Sequence, residues 1–139
     1  MRAKKYAYFF ENIDKNTPMD EYKKVFDINV KFKDPFHEVV GIDKVYDIFK
    51  KMYVKLDKPK FKITEIIEQN NIAYIKWNFI FYFKNHSKKE SFEGLSRIEF
   101  NEMHKVTSHT DYWDAASNIY ENIPIISFMI KFIKRKIKT

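Results

Sequence analysis

The sequence predicts a single α+β domain, with three short helices followed by an antiparallel meander and a further helix at the end of the chain. Two observations carry this expectation. Up to about Lys55 the apolar residues recur at helical spacing, whereas from Phe61 onward they alternate with polar ones. The breaks between the alternating runs, Gln69-Asn70-Asn71, Asn85-His86-Ser87 and Asn101 to His104, are short and rich in turn formers, as antiparallel hairpins require. Helices first and strands later favour α+β over a parallel βαβ sheet.

Lys4 to Asn12 and Met19 to Phe26 read as two short helices separated by the turn Asp14-Lys15-Asn16-Thr17-Pro18. Thr17 is a candidate N-cap with Pro18 at the first helical position, and Asp20 and Glu21 suit the positive end of the helix dipole. Asn29 to Asp34 alternates until Pro35 stops it and reads as a brief strand. After Gly41, the positions Ile42, Val45, Tyr46, Phe49, Met52 and Tyr53 mark an amphipathic helix running to about Lys55. Four strands are then expected, at Phe61 to Glu68, Ile72 to Phe83, Glu90 to Asn101 and Lys105 to Trp113.

The last helix is expected from Ala115 to about Lys138, broken at Pro124, with an isoleucine stripe from Ile119 to Ile137. The organisation read from this is a domain over 1–118 and a basic amphipathic helix over 119–139. Such a face packs on the core or on a dimer partner in the first reading. In the second it lies on a membrane surface, because Lys and Arg cluster beyond a broad apolar face.

The chain has 139 residues, 45% apolar and 32% charged, which is too apolar for disorder and enough for one compact core. It has no Cys, which removes disulfides, thiolate nucleophiles and Cys-based zinc sites and fits a reducing, cytoplasmic setting. The basic start MRAKKYAYFFENI has too short an apolar stretch for a signal peptide and reads as a mature helix. No apolar run reaches the roughly 20 residues of a transmembrane helix. The tail from Ile119 holds five basic residues and only Glu121 as an acid, so four of the seven net positive charges sit there. A single basic terminus, with no stripe of basic and aromatic residues across the fold, argues against nucleic acid as partner.

The histidines, at 37, 86, 104 and 109, form no recognised metal spacing, and no glycine-rich phosphate loop is present, so neither a metal nor an organic cofactor is expected. His109 stands apart because strand alternation puts it on one face with Thr107, Asp111 and Trp113. A His and an Asp two residues apart can orient and tune an imidazole as general base, or leave the carboxylate as base with the imidazole as acid. The same pattern is also what an exposed polar edge strand shows. Ile72 to Phe83 presents one apolar face (Ala73, Ile75, Trp77, Phe79, Phe81, Phe83) and one mixed face with Lys76 and Asn78. In a curved sheet the mixed face is a candidate cavity lining. Asp34 precedes Pro35 and is extended at a strand end, either as a turn former or as a functional carboxylate.

Two segments, Phe32-Lys33-Asp34-Pro35-Phe36-His37-Glu38-Val39-Val40-Gly41 and His109-Thr110-Asp111-Tyr112-Trp113-Asp114, together resemble the nuclear-transport-factor-2-like superfamily and its SnoaL-like branch. The likeness spans about Ala7 to Tyr120. It implies a cone, a strongly curved antiparallel sheet wrapped on three helices around a deep, mostly apolar pocket. Set beside the ketosteroid isomerases, Asp34 looks like the general base. The oxyanion-hole Tyr position then falls near Phe9 or Phe10, with Tyr8 nearby, and the Asp position falls on Ser96, which argues against a steroid isomerase. Set beside the limonene-epoxide hydrolases, Asp111 looks like the water-activating Asp, Asp34 replaces an Asn, and Lys76 and Asn78 replace the Arg and the acidic Asp. An amide is no carboxylic acid, which leaves His109 as the substitute acid.

Both comparisons imply one pocket lined by Asp34, Lys76, Asn78, Ser96, His109, Asp111 and Trp113. The expected function is a small-molecule pocket for an apolar, oxygenated compound, with isomerase, cyclase, dehydratase or hydrolase chemistry. Asp111 or Asp34 would be the base, His109 the acid or orienting group, Lys76 and Asn78 the oxygen-binding groups, Ser96 a further substrate-binding residue and Trp113 the wall. The competing reading is a noncatalytic module, its cavity filled by its own aromatics and its basic tail docked on a membrane or a partner. A homodimer through the outer sheet face or the terminal helix is expected in either case.

Overall fold

The computed structural model of the protein describes residues 2–114. Its elements are α1 (Arg2–Asn12), α2 (Met19–Val25), β1 (Phe26–Lys33), β2 (Glu38–Val40), α3 (Ile42–Lys55), β3 (Leu56–Gln69), β4 (Ile72–Phe83), β5 (Lys89–Phe100) and β6 (Val106–Trp113). The strands form one curved six-stranded sheet in the order β2-β1-β6-β5-β4-β3. All neighbours are antiparallel except β1 and β6, which run parallel. The helix-then-meander α+β order expected from the sequence is therefore present. The terminal helix expected from Ala115, with the dimer and membrane contacts assigned to it, lies outside the described residues.

The helices cover one face of the sheet because their apolar residues share one stripe each. In α1, Tyr6, Phe9 and Phe10 are buried at i, i+3 and i+4, and in α3 Ile42, Val45 and Phe49 at i, i+3 and i+7. Opposite them, β4 buries Ala73, Ile75, Trp77, Phe79 and Phe81, every second residue of the strand. The rings meet mainly edge to face, as in Tyr6 with Phe10 at 4.9 Å and Phe9 with Tyr22 at 5.1 Å. No helix among the described residues is long and apolar enough to cross a membrane.

Four boundaries differ from expectation, each for a local reason. Pro18, extended at φ −78° and ψ 162°, is the residue before α2, and Thr17 turns its hydroxyl back to accept from the Asp14 N–H at 2.9 Å. β1 begins at Phe26, directly after α2, and pairs with the three-residue β2 across the turn at Asp34 to His37. β3 begins at Leu56, passing through Pro59. It is an edge strand, and its pairing with β4 shifts between Asp57 and Lys60, where Lys58 has φ 49°. A proline is tolerated at an edge and in a bulge because no ladder N–H is lost there. Asn101 and Lys105 fall in the turn before β6, joined by the Asn101 N–H to Lys105 carbonyl bond at 2.9 Å.

Candidate functional site

Between the helices and the concave side of the sheet lies a cavity of about 580 Å³, walled mainly by aromatic side chains, among them Phe10, Phe32, Phe49, Trp77, Phe92 and Trp113. Those aromatics line the space and leave it open, in contrast to the self-filled cavity of the noncatalytic reading. Asp34, Ser96, His109, Asp111 and Trp113, expected in one pocket, all line it.

Two local irregularities of the sheet set its polar end. On β6, Glu99 pairs with Ser108 but Phe100 pairs with Val106, so Thr107 is an extra residue. This bulge inverts the alternation, which lets Val106 and His109 both be buried and turns His109, Asp111 and Trp113 to the cavity side. Thr107 was expected on that face but does not line the cavity; its hydroxyl donates to the Glu99 carbonyl at 3.3 Å. On β5, Gly94 stands opposite both Trp77 and Trp113. A Cβ on Gly94 would sit 2.4 Å from the Trp77 indole, so only glycine admits that ring.

A continuous chain of hydrogen bonds follows. The Trp77 Nε1–H donates to Ser96 Oγ at 2.8 Å, and the Ser96 hydroxyl donates to Asp111 Oδ1. His109 Nε2 lies 2.6 Å from the same Oδ1, and His109 Nδ1 lies 2.6 Å from the Tyr6 hydroxyl. Burial, and secondarily the Asp111 charge, pushes the Tyr6 phenol well above the usual tyrosine range, so it keeps its proton. A carboxylate only accepts, so His109 Nε2 carries the hydrogen that goes to Asp111 Oδ1. Both nitrogens of His109 are thus occupied, and at 4% exposure the ring is held behind the carboxylate, against Phe32 at 4.8 Å. Asp111 Oδ1 receives both bonds, and Oδ2 receives none among the described residues.

Asp34 is used differently. Its Oδ1 accepts from the backbone N–H groups of Phe36 and His37 at 2.7 and 2.6 Å, and the His37 ring lies 2.9 Å from Oδ2. The carboxylate therefore builds the Asp34–His37 turn, the local fold that Asp-Pro promotes.

Lys76 and Asn78 are corrected by the structure. Neither lines the cavity. Lys76 Nζ lies 3.7 Å from Glu65 and 3.8 Å from Glu93, and Asn78 sits beside Ile80 in a shallow outer depression. A sheet wrapped on helices turns its apolar face inward, so β4 offers the cavity Ile75, Trp77 and Phe79. Conversely, Tyr6 from α1 and Trp77 from the apolar face of β4 join the site without being among the residues expected there. The sequence signal for Tyr6 is its helical register with Phe9 and Phe10. Among the described residues no group of three or more His, Asp or Glu is placed to hold a metal.

Residues 7–109 match the family model for a SnoaL-like domain. No curated protein sequence matches the chain. Among solved structures, an NTF2-like protein of unknown function from Burkholderia pseudomallei K96243 aligns with TM-score 0.72 and 12% identity, over 86% of this chain and 95% of that one. A protein described as a SnoaL-like polyketide cyclase from Jannaschia sp. CCS1 gives TM-score 0.73 at 5% identity, over 85% and 88%. A ketosteroid-isomerase-like protein from Catenulispora acidiphila DSM 44928, crystallised with trimethylamine, gives 0.70 at 12% identity, over 84% and 87%. At these identities the structures share the fold, while the family model covers most of the described sequence. The chain belongs to the SnoaL-like domain family of the nuclear-transport-factor-2-like superfamily.

Proposed function

We propose that the cavity binds an apolar, oxygenated small molecule and that Asp111 is the group that exchanges a proton with it. The observation that carries this reading is the Asp111 carboxylate at the wall of an aromatic cavity, with Oδ1 held by His109 and Ser96 and Oδ2 without a partner among the described residues. An immobilised base whose accepting oxygen faces the ligand needs little reorganisation, and such a group contributes about 10²- to 10⁴-fold to a reaction rate. In isomerase, cyclase or dehydratase chemistry Oδ2 takes a proton from carbon and the resulting acid returns it at another atom. In hydrolase chemistry it takes the proton from water.

The other expected residues fall into supporting roles. His109, occupied on both nitrogens, orients the carboxylate, which favours a positioning role over that of acid. Ser96 holds Asp111 and the indole of Trp77 together. Trp113 supplies wall, and Asp34 keeps the turn that carries Phe36, itself packed on Trp113 at 5.3 Å.

The test is a screen of apolar ketones, enols and epoxides for turnover and for quenching of tryptophan fluorescence, repeated on Asp111→Asn and Asp34→Asn. Loss of turnover, or binding weakened at least about tenfold, in Asp111→Asn supports the reading. Unchanged behaviour in both variants refutes it.

A further inference from the structure

The charge balance at the polar end of the cavity points to the class of compound it takes. Asp111 Oδ1 is taken up by Ser96, a neutral donor, and by His109, whose other nitrogen meets the Tyr6 hydroxyl, which leaves Oδ2 without a partner among the described residues. Among the described residues no lysine or arginine pairs with Asp111. Asp34, the other carboxylate on the cavity wall, pairs with His37. The lysines that line the cavity, Lys51 and Lys55, both belong to α3, and Lys51 lies 3.0 Å from Asp47.

A ligand that fills this space removes the remaining water from a carboxylate whose side chain is 16% exposed. If the ligand is neutral and apolar, Oδ2 becomes a buried charge without a partner, the costliest outcome for such a group. If it is anionic, the repulsion is added. A cationic ligand gains twice, from the carboxylate and from the rings around it, because aromatic faces attract cations most strongly where water is absent. The rings are in place: Trp113 lies two residues beyond Asp111 on the same face, Trp77 is tied to it through Ser96, and Phe92 packs on both indoles, at 4.7 Å from Trp113 and 6.0 Å from Trp77.

We propose that the cavity selects apolar compounds bearing an ammonium centre, which sits among Trp77, Phe92 and Trp113 with Asp111 Oδ2 as its counter-ion. This rests on the reading that Asp111 faces the ligand, and adds to it the charge the ligand carries.

The test compares benzyltrimethylammonium with its uncharged isostere neopentylbenzene on the full chain. Fluorescence is the readout, because the only two tryptophans, Trp77 and Trp113, both line the cavity. The cation is expected to bind at least about tenfold more tightly than the isostere. In Asp111→Asn the preference for the cation is expected to fall by at least about fivefold, to what the rings alone supply. Equal or tighter binding of the isostere to the unaltered protein overturns the inference and leaves the apolar-ligand reading standing. Binding of neither compound overturns the inference and also counts against that reading. A cation preference that is undiminished in a folded Asp111→Asn variant overturns the role of Asp111 as counter-ion. If that variant does not fold, the two-ligand comparison on the unaltered protein decides.

Discussion

The Tyr6 hydroxyl and the His109 Nδ1 lie 2.6 Å apart inside the protein, joining the first helix to the last described strand across 103 residues of sequence. The bond is shielded from water, and it holds the ring whose other nitrogen, Nε2, reaches Asp111. Tyr6→Phe leaves Nδ1 without its partner in an apolar setting. The expected loss is about 1–3 kcal/mol of stability, measured by urea denaturation. An unchanged midpoint would mean that the bond contributes nothing net.

The same phenol makes stability depend on alkaline pH. Its folded pKa is raised well above 10 by burial and by Asp111, so the unfolded chain loses the proton first as pH rises. The stabilisation is complete below pH 10 and is lost above it, at about 1.4 kcal/mol per pH unit for one such group. Burial also raises Tyr22 and Tyr53, Tyr53 to about 12, and both add to the slope. Chemical denaturation between pH 9 and 11 should therefore show a shallower decline in Tyr6→Phe than in the unaltered protein.

Gly94→Ala forces a methyl group into the Trp77 indole, 2.4 Å from where Cβ must stand. The ring has to move off β5 and into the cavity. The expected cost is about 1–3 kcal/mol, with an altered tryptophan emission spectrum. A spectrum and melting temperature equal to those of the unaltered protein would show that the ring has room to shift without consequence.

Ser96→Ala removes the hydroxyl that bridges Trp77 Nε1 to Asp111. Trp77 then keeps a buried N–H with no acceptor, at a cost of about 1–3 kcal/mol. Thermal melts of Ser96→Ala and Ser96→Thr separate loss of the bond from loss of volume, since threonine keeps the hydroxyl; equal melts would assign the effect to packing.

Lys76→Ala and Asn78→Ala should leave ligand binding unchanged and shift stability by no more than about 0.5 kcal/mol, because both residues face outward. A drop in cavity occupancy in either variant would contradict their position on the sheet.

The same two residues mark where the sequence was legible and where it was not. The limits of β4, Ile72 to Phe83, were readable because alternation is strict and turn residues flank both ends. The alternation gives two faces but no label for which one curves inward, and polar residues on a strand invite a functional reading. Burial decides: the aromatic side chains need cover from water more than Lys76 needs a cavity. His109 and Asp111 were legible as a pair because a two-residue spacing survives any shift in register. Thr107 was not, since a bulge changes parity without leaving a glycine or proline to announce it. Tyr6 stayed hidden because its partner is brought to it only by the finished sheet.

The parallel pairing of β1 with β6 carries a consequence for the order of assembly. β1 leaves the ribosome with only the three-residue β2 to pair with, and its other edge stays open while about 70 residues of chain are made. Helix α1 likewise waits for His109 before its tyrosine has an acceptor. Contacts so distant in sequence make closure slow, and the open edge of β1 is a site for pairing with a second nascent chain. Strand β6 is therefore the latch of the domain, and a chain halted before Val106 would hold its helices and meander with β1 not yet joined to the meander and the cavity not yet walled.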